Sequence, residues 1–364
     1  MTKPIPQMEP LITEGDAKAV SDYLASGGWL TEFTQTRLFE KSICDYTGAR
    51  FCSMAPSGTF ALFLALKACG VGPDDEVIVP DLTMAATATA VLLAGAKVVF
   101  ADIDATTFCL DLGAAEHLIS HRTKAVIFVS LNGRSAKGLA EFVARCRRLG
   151  VRVIEDAAQS LGSFSGGRHL GTIGDCGCFS FSSQKTVTTG QGGAVVTDDG
   201  ELHAKMSLLR DFGRREGGSD HYLSVGWNLK FTDLQAAIGH SQMGRLAQIV
   251  ERKKGIFERY REGLAGNAQI EIPGTNLENV TPWFVDVLVD ADSKLPLIEF
   301  LGENGVGTRP IYPALHGEPA FAAGGAFPVA ENISSRGLWL PSSLRLELGQ
   351  IDRVCGLIGR FFGR

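Results

Sequence analysis

The sequence predicts an α/β protein built on a mainly parallel sheet that helices cover on both faces. Short, near-continuous apolar runs recur through the amino-terminal half, and segments with helical spacing of apolar residues separate them. Strands that are apolar on both faces are typical of parallel sheets buried between two layers of helices. With 364 residues the chain is also long for one core, so we expect one large and one smaller domain.

The elements of this sheet can be placed in chain order. A helix is predicted over residues 57–69, because Phe60, Phe63 and Leu66 recur at helical spacing before Gly70. Further predicted elements are buried strands at residues 76–80, 97–102, 125–130 and 151–156, and a helix over residues 139–149. Ligands of such sheets bind beyond the carboxyl ends of the strands. Asp156, the last residue of the strand predicted at residues 151–156, would lie there.

The pattern changes after about Arg245. A long, charged helical stretch covers residues 248–264, and an apolar strand at residues 283–289 then opens a smaller α+β unit. We therefore predict a large α/β domain over residues 1–245 and a small carboxy-terminal α+β domain over residues 246–364.

Charge and hydropathy exclude two classes of partner. The net charge is −5 and no run of Lys and Arg stands out, which argues against a nucleic-acid partner. The longest apolar stretch, residues 85–96, is too short to cross a bilayer, so we expect no membrane anchor. The start of the chain has no apolar signal region, and we expect the protein to be cytoplasmic.

The cysteines predict neither disulfides nor a metal site. Eight are scattered through mainly apolar surroundings, and no Cys-x-x-Cys pair occurs. Cys176 and Cys178 would share one face of a strand, but a metal site needs two more ligands near them, and the sequence suggests none. We expect thiols that pack in the core, and no metal.

One lysine and one acid carry the main chemical signal. Asp156 ends the strand at residues 151–156, and Lys185 lies in a Ser/Thr-rich turn after another apolar run. Pyridoxal phosphate chemistry needs such a pair: an amine that holds the aldehyde as a Schiff base, and a carboxylate that keeps the pyridine nitrogen protonated. Taken alone, Lys185 would more often be a solvated loop lysine.

Hydroxyls and glycines near this pair suit a phosphate. Ser57, Gly58 and Thr59 open a helix, where free amides, close approach and two hydroxyls can seat an anion, although an ordinary Ser/Thr cap has the same sequence. Ser180 lies five residues before Lys185 and could reach the same phosphate, or simply bond to backbone. The glycine-rich residues that follow Lys185 predict a tight turn rather than a dinucleotide site, since a strand follows them.

These segments resemble one family in its own order along the chain. The similar segments are residues 57–62, 72–80, 154–159, 171–175, 179–185, 189–193, 226–237 and 309–310. Together they resemble the DegT/DnrJ/EryC1/StrS aminotransferases, which are pyridoxal-phosphate sugar aminotransferases. The resemblance implies the type I, aspartate-aminotransferase-like fold and covers nearly the whole chain.

The resemblance also implies roles for individual residues. Lys185 would bond to the cofactor and, once released, shuttle a proton, while Asp156 would pair with the ring nitrogen and Gln159 would bear on the ring's phenolic oxygen or face. The remaining implied contacts are Ser57, Gly58, Thr59 and Ser180 to the phosphate, Asn228 to the phosphate of the neighbouring subunit, and Arg309 and His316 to the sugar. The contact from Asn228 implies a homodimer with shared active sites.

Two segments depart from the family pattern. Met84 stands where the family often has an aromatic residue that stacks on the cofactor, and a thioether can take that place. Residues 130–134 differ from the family's substrate-facing segment, so Asn132 and Arg134 become candidate substrate contacts. A surface arginine is the alternative for Arg134. Because Lys185 is present, the family's dehydratase branch, which has histidine there, is disfavoured.

The predicted function is transfer of an amino group from an amino acid, with L-glutamate expected, to a keto group of a nucleotide-linked sugar. Pyridoxal 5'-phosphate would serve as cofactor and pyridoxamine 5'-phosphate as its intermediate form. A 4-keto-6-deoxyhexose is the expected acceptor and a 3-keto sugar a second choice, feeding polysaccharide or secondary-metabolite glycosylation. Alternatives are the same chemistry on a cyclitol or a free acidic keto sugar, and a non-catalytic cofactor-bound sensor or partner protein.

Overall fold

The computed structural model describes residues 3–215, 217 and 219–363. Met1, Thr2 and Arg364, which form the ends of the two predicted domains, lie outside the described residues. The α-helices are α1 Glu14–Ala25, α2 Thr34–Thr47, α3 Gly58–Ala68, α4 Ala86–Leu93, α5 Leu112–His117, α6 Leu139–Arg148, α7 Gly200–Leu209, α8 Asp233–Met243, α9 Leu246–Gly263, α10 Ala291–Glu303, α11 Pro328–Arg336 and α12 Leu348–Phe361. The strands are β1 Phe51–Ala55, β2 Glu76–Pro80, β3 Lys97–Ala101, β4 Thr123–Val129, β5 Arg152–Asp156, β6 Phe164–Ser165, β7 Arg168–His169, β8 Cys176–Ser180, β9 Gly193–Thr197, β10 Val285–Leu288, β11 Arg309–Pro310 and β12 Gly337–Leu340.

Within the described residues, seven strands form the large sheet in the order β1-β9-β8-β5-β4-β2-β3. Five neighbouring strands of this sheet, β8, β5, β4, β2 and β3, run parallel to one another. Strand β9 is antiparallel to both of its neighbours, β8 and β1. Val129 pairs with Asp156, and Asp156 with Cys178, so the carboxyl ends of β4, β5 and β8 lie side by side. The predicted mainly parallel sheet is confirmed, and its carboxyl edge holds Asp156 and Ser180.

Helices cover both faces of this sheet. Helix α3 is buried almost all round and packs against β8 and β9, as its run of apolar residues requires. Helix α6 instead has one apolar face, with Phe142 and Val143 packed against β4 and β5, and a polar face of arginines. Burying each large apolar side chain contributes about 1.5–3 kcal/mol, so these faces anchor the sheet between its layers.

A smaller antiparallel sheet has the order β10-β12-β11. Helix α9 lays Ile256, Phe257 and Tyr260 against it, together with apolar residues of α10 and α12. The change of pattern that the sequence shows after Arg245 coincides with the start of α9, while the division into two domains stays a prediction. Among the described helices, none is both long and apolar enough to cross a membrane.

A single buried carboxylate fixes the start of α2. Phe33, the residue before this helix, has no side chain that can accept a hydrogen bond from the first N–H groups of α2. The carboxylate of Asp233, on α8, accepts these hydrogen bonds instead. Asp233 accepts hydrogen bonds from the backbone N–H of Phe33 (2.7 Å), Gln35 (2.8 Å) and Thr36 (2.9 Å), and from the hydroxyl of Tyr23 (2.9 Å). Burial raises the pKa of Asp233, but the hydrogen bond from the Thr36 hydroxyl and those from the three backbone N–H groups outweigh burial and hold the pKa below its usual value.

We expect Asp233→Ala to lower the free energy of unfolding by about 3 kcal/mol, because buried amides at the start of α2 lose their acceptor. Denaturant unfolding near neutral pH measures the loss. Since the pKa of Asp233 is lowered on folding, its contribution is present above the unfolded value and disappears as the pH falls below about 4. The difference between the variant and wild type should therefore narrow in acid.

Asp22 supplies the control, because it pairs with Lys18 on the exposed face of α1. Asp22→Ala should change stability by about 0.5 kcal/mol or less. An Asp233 variant as stable as the Asp22 variant would contradict the capping role.

Candidate active site

A cavity of about 260 Å³ lies at the carboxyl ends of the parallel strands. Its wall includes the last residues of β4, β5 and β8 on one side and residues of the smaller sheet on the other. The predicted site residues on this wall are Ser57, Gly58, Thr59, Met84, Asp156, Gln159, Ser180, Lys185 and Arg309. Asn132, Arg134, Asn228 and His316 are not on it.

Asp156 is buried at the end of β5 and is held by a chain of hydroxyls. Thr87 donates a hydrogen bond to one carboxylate oxygen at 2.8 Å, and the N–H of Ala158 reaches the other at 3.2 Å. The hydroxyl of Thr83 lies 2.9 Å from that of Thr87. Burial raises the pKa of Asp156, while the bond from Thr87 and the charge of Lys185 oppose that rise. A cation in the cavity would favour the ionised form further.

Lys185 enters the same cavity from the turn after β8. Its Nζ lies 4.0 Å from the centroid of the Trp283 ring. Burial lowers the pKa of Lys185 to about 8, because the charged form loses its hydration; Asp156 opposes this change and Arg309 adds to it. A larger share of this amine is therefore neutral near physiological pH than of an ordinary lysine, and a neutral amine can act as a nucleophile or a base.

The start of α3 lies so close to β8 and β9 that two glycines there have no room for a side chain. A Cβ added at Gly58 would lie 2.8 Å from Cβ of Ser180, and one at Gly193 would lie 2.3 Å from the carbonyl oxygen of Ser57. The side chain of Ser57 caps the N–H of Phe60, and Gly58 and Thr59, the first residues of the helix, line the cavity together with Ser180. This donor set suits a phosphate.

These groups together fit pyridoxal phosphate. The cavity offers an amine at one point, a buried carboxylate at another, and an anion site at the helix start, all on one wall. The Lys185 amine matches the aldehyde, the Asp156 carboxylate matches the basic ring nitrogen, and the glycines leave room for the phosphate.

Gln159 has both ends of its amide fixed. Its oxygen accepts the N–H of Asn132 at 2.8 Å, and its nitrogen donates to the hydroxyl of Tyr312 at 3.2 Å. The side chain of Asn132 lies behind the cavity, where it exchanges two hydrogen bonds with the backbone of Phe284 at 2.8 and 2.9 Å. The structure therefore does not bring Asn132 to the cavity wall, where a substrate contact was predicted: its amide joins the two sheets.

Arg134 also differs from expectation. It is 3% exposed, and its Nη2 donates to both carboxylate oxygens of Asp286 on β10, at 2.5 and 2.6 Å. Phe108 covers the guanidinium at 5.1 Å from its ring centroid. Arg134 is thus not the surface arginine considered as the alternative, and it does not reach the cavity wall, because its charge is buried and is compensated within the protein.

His316 and Asn228 lie outside the cavity for different reasons. The ring of His316 shares a hydrogen bond of 2.7 Å with the buried Asp81, and the other ring nitrogen lies 3.3 Å from Glu331. These contacts place His316 behind the wall rather than on it. Asn228 is exposed in the segment that follows α7, where a second chain could reach it.

Two aromatic residues of the wall, Trp283 and Tyr312, are not among the site residues predicted from the sequence. Trp283 starts an apolar run whose pattern predicts only a strand, and Tyr312 follows closely on Arg309 and Pro310. Proximity to that Arg-Pro pair was the one available signal for Tyr312.

The chain is similar to known proteins over nearly its whole length. Residues 10–359 match the DegT/DnrJ/EryC1/StrS aminotransferase family. GDP-perosamine synthase of Caulobacter vibrioides is 36% identical over 327 residues, covering 87% of each protein. UDP-N-acetyl-3-dehydro-alpha-D-glucosamine 3-aminotransferase of Acidithiobacillus ferrooxidans is 35% identical over 331 residues, covering 90% of this chain and 88% of that protein. The crystal structure of the aminotransferase TlmJ from Streptoalloteichus hindustanus has a TM-score of 0.93 at 30% identity, covering 98% of both chains.

The buried ion pair of Arg134 leads to a stability prediction. Arg134→Met should cost about 3–5 kcal/mol of folding free energy, because Asp286 is left buried and unpaired. Adding Asp286→Leu removes that orphaned charge, so the double variant should recover most of the loss. Denaturant unfolding measures all three proteins. A single variant as stable as the double variant would contradict the pairing.

Proposed function

The chain belongs to the DegT/DnrJ/EryC1/StrS aminotransferase family, and from this premise we propose that it transfers an amino group from L-glutamate to the keto group of a nucleotide-linked sugar. It is a pyridoxal-phosphate-dependent aminotransferase with the type I fold that the sequence predicted. The observation that carries the proposal is that Lys185, Asp156 and the helix start at Gly58 share one cavity.

Bound pyridoxal phosphate supplies an aldehyde that takes up amines and a ring that accepts electrons. We assign Ser57, Gly58, Thr59 and Ser180 to its phosphate. Asp156 would supply a negative charge to the basic ring nitrogen, and Thr87 orients its carboxylate. Asn132 and Tyr312 hold Gln159 in one orientation, in which its amide would contact the cofactor ring.

Lys185 is proposed to anchor the cofactor and, once displaced, to carry a proton on Nζ. Its lowered pKa, about 8, suits a group that must both accept and release a proton near neutral pH. Arg309 lies at the same wall and is exposed, so it can meet an anionic group of a substrate. Met84, 46% exposed, lies at the rim and is proposed to cover the cofactor ring.

The acceptor is proposed from the relatives and from the cavity. One relative is named for a GDP-linked amino sugar and another for amination of a UDP-linked 3-keto sugar, so nucleotide sugars are the common class. Within that class we propose a 4-keto-6-deoxyhexose, with a 3-keto sugar second. The alternative acceptors, a cyclitol or a free acidic sugar, were supported by the sequence at residues 130–134. The ion pair of Arg134 with Asp286 removes that support.

A homodimer is proposed from exposed apolar residues in two segments. Large side chains are exposed before α2 and after α7, namely Trp29, Leu30, Phe33, Tyr222, Leu223 and Val225. An ion pair between Glu32 and Arg210 joins the two segments into one face. A second copy on this face would cover the apolar residues and bring Asn228 of the partner subunit toward the cavity. The free cysteines suit the cytoplasm, where thiols stay reduced.

The first experiment follows the visible absorption of the holoenzyme. We expect L-glutamate to bleach the band of the bound cofactor, because the amino group passes to it. Adding candidate ketones then tests the acceptor: a nucleotide-linked 4-keto-6-deoxyhexose should restore the band faster than a 3-keto sugar, a cyclitol ketone or a free acidic keto sugar. A band that glutamate leaves unchanged would contradict the donor, and recovery with the non-nucleotide ketones alone would contradict the acceptor.

Two substitutions test the assigned roles. Lys185→Ala should still bind the cofactor, which fluorescence and the mass of the bound species measure. Its turnover rate should fall by a factor of at least about 10²–10⁴. Asp156→Asn keeps the size and removes the charge, so turnover should fall about a hundredfold or more while the fold is kept. Arg122, an exposed residue paired with Glu76 far from the cavity, supplies the control as Arg122→Ala. Wild-type turnover in either site variant would overturn its role.

A further inference from the structure

Trp283 is the aromatic residue nearest to the Lys185 amine. The Nζ of Lys185 lies over the indole at 4.0 Å from the ring centroid, within the range of a cation–π interaction. Trp283 comes from the residues just before β10, so the smaller sheet supplies this contact. The tryptophan is only 2% exposed, which makes the ring a dry surface beside a charge.

The position of this indole is fixed from several sides. Its Nε1–H donates to the carbonyl of Gln184 at 2.8 Å, directly beside Lys185 in the chain. The backbone carbonyl of Trp283 accepts a hydrogen bond from the buried Nζ of Lys253 on α9, also at 2.8 Å. Phe284 stacks on the ring at 3.7 Å between centroids, and Trp339 meets it edge-on at 5.7 Å. The ring therefore has little freedom to turn away from the lysine.

Few other groups near the lysine can stabilise a positive charge. Asp156 attracts the Lys185 ammonium, but the proposed mechanism places that carboxylate beside the cofactor's ring nitrogen. Arg309 repels it, and Tyr312, whose pKa burial raises, adds no charge near neutral pH. When the amine is not bonded to the cofactor, the face of Trp283 at 4.0 Å offers it an electron-rich surface.

We propose that Trp283 is a positioning residue that holds the Lys185 ammonium over its ring whenever the lysine is released from the cofactor. This proposal rests on the proposed function. The indole keeps the amine within reach of the reacting carbon and stabilises its protonated form, so that a proton taken from the donor stays on Nζ until it is delivered. The ring itself neither gives nor takes a proton.

The kinetic test compares two substitutions in the holoenzyme. Trp283→Phe and Trp283→Leu both lose the hydrogen bond to Gln184, but only the leucine variant loses the aromatic face. On mixing with L-glutamate, the rate constant for loss of visible absorption should fall about tenfold in Trp283→Leu and stay within about threefold of wild type in Trp283→Phe. The glutamate concentration that gives half the maximal rate should not change.

An isotope effect separates positioning from general damage. With L-glutamate deuterated at the α-carbon, Trp283→Leu should show a larger effect than wild type, because proton transfer by Lys185 becomes the slowest step. Phe142→Leu removes a buried ring of α6, in a cluster that contains neither Trp283 nor Lys185, and it should keep the wild-type rate and isotope effect. Equal slowing in Phe142→Leu, or an unchanged isotope effect in Trp283→Leu, would overturn the proposal.

A second readout needs no turnover. In the protein loaded with pyridoxamine 5'-phosphate, Lys185 is free, and its charge should alter Trp283 fluorescence. We expect a transition as the Lys185 ammonium, whose pKa burial lowers, loses its proton with rising pH, and the absence of this transition in both Lys185→Met and Trp283→Phe. A transition that persists in either variant would show that the indole does not sense the lysine. If glutamate fails to bleach the wild type, the proposed function fails, while this titration still decides the contact.

Discussion

The hydrogen bonds that hold residues 283–286 in place determine the shape of the active-site cavity. Asn132 and Arg134, which follow β4 of the large sheet, bind the backbone of Phe284 and the carboxylate of Asp286, while Lys253 of α9 binds the carbonyl of Trp283. One wall of the cavity belongs to the parallel strands and the other to the smaller sheet. Without this junction the lysine and the carboxylate would remain on one sheet edge, but Trp283, Arg309 and Tyr312 would not face them.

Burial sets the electrostatics of the cavity. Removing water raises the pKa of Asp156 and lowers that of Lys185, and each group partly restores the charged form of the other. Thr87 supports the carboxylate by a hydrogen bond, and Trp283 faces the amine with its ring. The ionisation of Asp156 and Lys185 therefore depends on which group binds between them. This is expected of an acid and an amine that take part in binding a cofactor and a substrate amine.

The buried polar residues differ in how well the sequence predicted their positions in the fold. Asp156 was placed correctly in the cavity because it ends an apolar strand, and strand ends of a parallel sheet share one edge. Arg134 was assigned to the substrate because it lies in a segment that departs from the family pattern. The structure gives it a carboxylate 152 residues away, and no local pattern could reveal that partner. The same holds for Asn132 and Phe284, which are also 152 residues apart.

The sequence by itself determined the parallel sheet, the family, the cofactor and the residues of the cavity that lie on strand ends and on the first turn of α3. These follow from local periodicity and from short segments in which spacing fixes geometry. Only the tertiary structure decided which polar residues are already paired and which aromatic rings complete the wall. Arg134, His316 and Trp283 acquire their roles from partners on distant segments, and burial, which decides whether a charge is free to bind a ligand, is a property of the folded chain.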